Sequence, residues 1–211
     1  MFIDFENDLV VHIHLGIYGK WQFHSTDVEP EVVGQVRMRM IAGDKVVDLR
    51  GPTTCEVIGR DEVKKLKVRF GPDPLNANPK RAESNKFITR VQKSKSAIGL
   101  LLMNQQVISG IGNVYRAELL FRHGINPHTP GNQVQREQLE ELWDDCVKLM
   151  KVGVKTGFMI TRDELFTKQP SKDERNWVYK REGQPCRACG TEVVLEVMAT
   201  RKLYWCPRCQ A

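Results

Sequence analysis

Two Cys-x-x-Cys pairs near the C-terminus, Cys186-Arg-Ala-Cys189 and Cys206-Pro-Arg-Cys209, constrain this chain more than any other feature. Sixteen residues separate them, and four thiolates at that spacing close a tetrahedron around Zn²⁺. A Cys₄ shell leaves no coordination position for a reacting group. The expected role is therefore one structural zinc, stapling a β-hairpin too small to hold a core of its own. The hairpin is read from Leu195-Glu-Val-Met198 and Leu203-Tyr-Trp205, around a polar turn carrying Arg201 and Lys202. An arginine held on such a turn suits phosphate binding, with a plain solvated turn as the competing reading. Tyr204 and Trp205 read as hairpin packing, and Cys55 and Cys146 as ordinary buried thiols.

Composition adds bounds. The 211 residues are 41% apolar and 27% charged, a globular balance that fills two or three units. No run approaches the ~18 apolar residues of a membrane helix, and no signal-peptide pattern opens the chain. A soluble, cytoplasmic monomer without a membrane partner is expected. Against 26 acidic residues stand 32 Lys+Arg, giving a net charge of +6 and a footprint that suits a polyanion.

Residues 1 to about 58 read as short, mostly antiparallel strands. Val11, Ile13 and Leu15 alternate onto one face, and Val36-Arg-Met-Arg-Met40 alternates more cleanly. The turn formers of Gly71-Pro-Asp-Pro-Leu-Asn-Ala-Asn-Pro79 mark a boundary. Helical spacing follows from about Glu83: one helix from near Asn113 to Gly124, and another from about Gln135 to Lys155 with Leu139, Leu142, Trp143, Cys146, Leu149 and Val152 as its stripe and Gly157 as its stop. A polar, charged stretch after it reads as a mobile connector. The organisation predicted is an α+β multidomain chain: a partial antiparallel β-sandwich (1–80), a helical domain (81–157), a connector (158–180) and a Cys₄ zinc-finger hairpin (181–211).

In Gln105-Gln-Val-Ile-Ser-Gly110-Ile-Gly112-Asn113-Val-Tyr-Arg116, two glycines precede a helix start. Gly110 and Gly112 let the backbone approach a ligand closely. The free N–H groups of the helix favour an anion, with Asn113 as cap or direct donor. Most such glycine pairs are simply turns. His12 and His14 alternate along a strand without a third ligand and read as structural.

Gln105 to Phe121, taken with the finger ending Tyr204-Trp-Cys-Pro-Arg-Cys-Gln210, resembles the Fpg/Nei family of DNA glycosylases. The first segment is similar to that family's helix-two-turn-helix and the second to its zinc finger. His14-Leu-Gly-Ile-Tyr-Gly19 and Arg69-Phe-Gly-Pro-Asp-Pro-Leu75 extend the resemblance, in order, over nearly the whole chain. It implies base-excision repair on double-stranded DNA carrying a damaged base or an abasic site, in a bacterial-type, nucleoid-associated protein. The lesion is flipped out, its glycosidic bond cut and the abasic strand nicked by elimination. Unstacking costs a few kcal/mol, and inserted side chains fill the hole. By the same comparison Asn113 and Arg69 match residues holding the phosphates that flank the lesion. Arg201 matches the finger arginine that binds phosphate and assists elimination, which makes it the one catalytic match. Ile17 and Tyr18 match fillers, with a β-turn of core-facing apolar residues as the equal alternative; Leu49 and Arg50 match fillers of one branch. Tyr18 and the Tyr204-Trp-Cys-Pro207 ending place the chain nearer the endonuclease VIII branch, which implies oxidised pyrimidines.

One departure stands out. Family members open Met-Pro-Glu, with the proline amine as Schiff-base nucleophile, the glutamate in proton transfer and a lysine on a later strand. This chain opens Met1-Phe-Ile-Asp-Phe5, where the family reads Gly-Lys-His-Leu-Phe. The expectation is a bifunctional glycosylase with abasic-site lyase activity whose start was set too late. The alternatives are a catalytically inactive zinc-finger protein that binds abasic or damaged DNA, and a zinc-ribbon protein of a nucleoprotein assembly.

Overall fold

The computed structural model describes residues 1–16, 18–25, 30–76 and 81–211. They form two compact units, Met1–Arg69 and Phe70–Ala211.

The first unit is a pair of three-stranded antiparallel sheets. Strands β1 (Phe2–Asp4), β2 (Leu9–His14) and β6 (Thr54–Gly59) pair in the order β1-β2-β6. Strands β3 (Lys20–Ser25), β5 (Lys45–Arg50) and β4 (Val36–Ala42) pair as β3-β5-β4. Val11 and Ile13 of β2 meet Leu49 of β5, with Leu15, Trp21 and Met38 around them, so the predicted apolar face of β2 is a core face. The opposite face is not solvated: Val10 packs with Ile58 and with Val63 of helix α1 (Arg60–Arg69). That helix interrupts a stretch without an obvious helical period. Val63 and Leu66 are its only inward side chains, and acidic Asp61 and Glu62 at its start with basic Lys67 and Arg69 at its end complement the helix dipole. The alternation of β4 breaks at a bulge between Val36 and Met38.

The second unit is built from α2 (Ala82–Gln92), α3 (Ile98–Leu101), α4 (Asn113–Arg122), α5 (Arg136–Thr156) and a hairpin of β7 (Val194–Met198) with β8 (Arg201–Trp205). Phe87, Ile88, Val91, Leu119, Leu120, Leu139, Leu142 and Trp143 form its main core. Fully burying each such side chain contributes about 1.5–3 kcal/mol. On α5 the stripe is as predicted except that Met150 rather than Val152 is buried, and Gly157 closes the helix at φ 73°. Helix α4 is the shared wall. Leu119 and Leu120 face the helical core, while Ala117 and Phe121 face a second cluster with Val178, Val193 and Tyr204 beneath the cysteines.

Candidate nucleic-acid interface

The four cysteines converge as their spacing requires. Their Sγ atoms lie within 4.8 Å of one another, with Cys186–Cys209 at 3.9 Å and Cys189–Cys206 at 3.5 Å. Zn–S bonds of about 2.3 Å in a tetrahedron require S···S edges of roughly 3.8 Å. The cluster therefore fits one structural zinc ion. Hydrogen bonds from Thr191 pull the Cys189 thiol down, while burial pushes those of Cys206 and Cys209 up, so the geometry rather than the titration carries the metal assignment. Buried Gln210 docks the second knuckle: its Oε1 accepts from the Cys206 N–H at 2.9 Å and its Nε2 donates to the Ile125 carbonyl at 3.0 Å.

The hairpin strands join through Ala199 and Thr200, at φ 49° and 67°. Positive φ at both central residues matches the tight primed turn of hairpins, normally an Asn-Gly job. A β-branched threonine there is strained, the kind of cost found where position matters. Arg201 and Lys202 leave this turn exposed. The Arg201 guanidinium has no hydrogen bond or ion pair among the described residues. Elsewhere on the hairpin, His128 Nε2 meets Glu196 Oε1 at 2.6 Å and its ring stands edge-on to Trp205, tying the hairpin to the helical core. Tyr204 is buried against Tyr179, as packing.

The glycine segment forms a loop ending at α4. Gln105 staples it, accepting from the Gly110 N–H and donating to the Ile111 carbonyl, both at 2.9 Å. Gly110 sits at φ 82°, a conformation that suits glycine. Gly71 lies beneath: a Cβ there would meet Val107 backbone at 2.5 Å. Gly112 differs. Its φ is −117° and a Cβ would meet nothing within 4 Å, so no protein atom demands glycine there. No side-chain hydrogen bond caps the start of α4.

Asn113 links the two motifs. Its Nδ2 donates to the Lys202 carbonyl at 2.7 Å, so Asn113, Gly112 and the Arg201 turn share one surface. Two buried charges of α4 adjoin this contact. Arg116 is 1% exposed; one nitrogen donates to Asn113 Oδ1 and, at 3.0 Å, to the same Lys202 carbonyl. Glu118 is fully buried and accepts from Thr161 Oγ1 and from the backbone N–H groups of Trp177, Val178 and Tyr179 at 2.7–2.9 Å. The stretch predicted as mobile is therefore pinned at both ends, with Thr161 and Val178 fully buried. Charges inside the apolar run Val-Tyr-Arg-Ala-Glu-Leu-Leu-Phe, which has no polar face to receive them, were the available signal.

The other candidates lie in the first unit. Arg69 ends α1, exposed and without a described partner. Tyr18 is 85% exposed in the tight β2–β3 turn, so the core-facing alternative does not hold for it; Ile17 lies outside the described residues. Leu49 is 0% exposed in the core, which removes it as a filler, and Arg50 lies 3.8 Å from buried Asp48. His12 pairs with Glu56 at 2.9 Å and stacks on Phe2.

Comparison with known proteins matches residues 70–164 to the formamidopyrimidine-DNA glycosylase H2TH domain and residues 183–211 to the zinc finger found in FPG and IleRS. Endonuclease 8 1 of Mycobacterium tuberculosis is 46% identical over 210 residues, covering 95% of this chain and 76% of that protein. The chain belongs to the Fpg/Nei family. A formamidopyrimidine-DNA glycosylase of Desulfitobacterium hafniense is 30% identical over 206 residues, 93% of this chain and 73% of that one. The Fpg/Nei fold extends over both units: the Lactococcus lactis Fpg solved non-covalently bound to DNA containing an AP site superposes with a TM-score of 0.79 at 25% identity, covering 99% of this chain and 76% of that one. Among the described residues no helix is long and apolar enough to cross a membrane.

Proposed function

We propose that the chain acts in DNA base-excision repair as a bifunctional glycosylase with abasic-site lyase activity, on duplexes bearing an oxidised base, pyrimidines foremost, or an abasic site. The observation that carries this reading is the shared surface of the uncapped α4 start, Asn113 and the partnerless Arg201, joined through the Lys202 carbonyl. Orphan N–H groups, an amide and a free guanidinium are the donor set that orients a phosphodiester. Relatives that are DNA glycosylases, one of them solved on abasic DNA, support it.

Within this reading the zinc is structural: bound to Cys186, Cys189, Cys206 and Cys209, it supplies the rigidity that holds Arg201. Asn113 and Arg201 bind phosphate, and Gly110 and Gly112 shape the backbone that approaches it. Arg69 contributes a further phosphate contact, and Tyr18 with Ile17 fills the space left by the flipped nucleotide. These residues grip and orient the DNA. A second reading is a catalytically silent binder of abasic or damaged DNA.

Titration of fluorescent duplexes tests the first part: tighter binding to an abasic-analogue duplex than to the intact one supports the reading, and equal affinity contradicts it. Borohydride trapping on abasic DNA separates the two readings, since a covalent adduct requires an attacking amine in the chain.

A further inference from the structure

Arg116 is the largest of the fully buried side chains and has no carboxylate within ion-pair reach among the described residues. Its Nε has no hydrogen-bond partner. The nearest relief comes from Glu196, which is already engaged by His128 at 2.6 Å, while the neighbouring charge of Arg201 works against it. Burial, then Arg201, lowers the Arg116 pKa to about 10, so it stays charged at neutral pH. The two arginines also line one cavity of about 270 Å³, together with Asn104, Met198 and Ala199. A buried, incompletely satisfied cation beside a second cation is costly to a fold, and replacing such a group by an apolar one of similar volume is often neutral or stabilising.

The hydrogen bonds show what the cost obtains. The Asn113 amide is held at both ends, Oδ1 by the Arg116 guanidinium and Nδ2 by the Lys202 carbonyl. A cation cannot face the amide nitrogen, so Arg116 admits only one amide orientation, with the second Nδ2 hydrogen left for an acceptor. The same guanidinium holds the Lys202 carbonyl at 3.0 Å and so fixes the hairpin beside Arg201.

We propose that Arg116 is the positioning residue of the DNA-phosphate grip, locking the Asn113 amide and the Lys202 carbonyl into one donor surface with Arg201, and adding a buried positive charge that a phosphate neutralises. This rests on the reading that Asn113 and Arg201 hold phosphate.

The test uses the full zinc-loaded chain and a duplex carrying a tetrahydrofuran abasic-site analogue. Arg116→Met is expected to melt at the same or a higher temperature than the parent while binding at least tenfold more weakly. Arg116→Lys, which keeps the charge on a shorter side chain without the planar guanidinium, is expected to recover only part of that loss. The double variant with Asn113→Ala should bind about as weakly as Asn113→Ala alone, because both remove one unit. A lower melting temperature or failure to fold for Arg116→Met would make the residue structural and overturn the proposal. Parental affinity in both Arg116 variants while Asn113→Ala binds weakly would overturn it too, leaving the phosphate reading intact. Parental affinity in Asn113→Ala and Arg201→Ala brings down the phosphate reading itself, and the proposal with it.

Discussion

The side-chain amide of Asn113 donates to the carbonyl of Lys202 at 2.7 Å, across 89 residues of chain. This contact joins the start of α4 to the zinc-stapled hairpin and makes one donor surface of two local motifs. Substitutions there should separate binding from folding.

Gly110 and Gly112 supply the first contrast. Gly110→Ala places a side chain at φ 82° and 2.9 Å from Met150 Cε, and should cost about 1–2 kcal/mol in a urea titration. Gly112→Ala meets no protein atom within 4 Å and should alter stability by less than about 1 kcal/mol. It should nonetheless weaken duplex binding about tenfold, by analogy with other backbone approaches that admit only glycine. Unchanged binding would mean that DNA does not approach this point.

Glu118 should govern the stretch that follows α5. Glu118→Gln turns an acceptor of three backbone N–H bonds into a group with its own N–H donors, at a cost of about 2–3 kcal/mol. Limited proteolysis within residues 158–180 should accelerate at least tenfold. An unchanged cleavage rate would show that the stretch is held by other contacts.

Removing zinc should unmake the hairpin before the helices. No residue after Gly183 belongs to the main helical core, whereas Cys186 and Cys206 belong to the cluster with Phe121, Val178 and Tyr204. A strong chelator should abolish the near-ultraviolet signal of Tyr204 and Trp205 and the DNA binding, with far-ultraviolet helicity largely kept. Joint collapse of both signals would contradict this division.

Acid sensitivity should come in part from Asp145. Burial alone would raise its pKa, but hydrogen bonds from His123 at 3.2 Å and Arg122 at 2.6 and 2.9 Å outweigh burial and hold it at about 2, below the 3.8 of a free aspartate. A depressed carboxyl contributes stability above the unfolded value and loses it as pH falls through the folded one. Roughly 2 kcal/mol should therefore disappear between about pH 4 and pH 2. Asp145→Asn should lower stability at neutral pH and flatten that part of the profile.

Local chemistry made much of this visible in the sequence. The cysteine spacing announced the metal cluster, the stripe from Leu139 to Leu149 announced α5, and Gly157 announced its end. What escaped depends on partners far along the chain. The alternation of β2 marks the face of Val11 and Ile13 but not the burial of Val10, whose cover, Val63, comes from a helix with only two inward side chains. Arg116 and Glu118 stand as charges inside an apolar run, which marks them as unusual without saying what they bond. Arg116 reaches the Lys202 carbonyl 86 residues away, and Glu118 has its donors 43 to 61 residues away. Nothing in a helical period announces such bonds.

The central claim, that the joined α4 start and hairpin grip DNA phosphate, is tested most directly by salt-dependent binding of the parent chain and Arg201→Ala to an abasic-analogue duplex. The account predicts weaker binding for the variant at every salt concentration, with the slope of log K against log salt reduced in magnitude by about one, the signature of one lost phosphate contact. Equal affinity and an unchanged slope would contradict it.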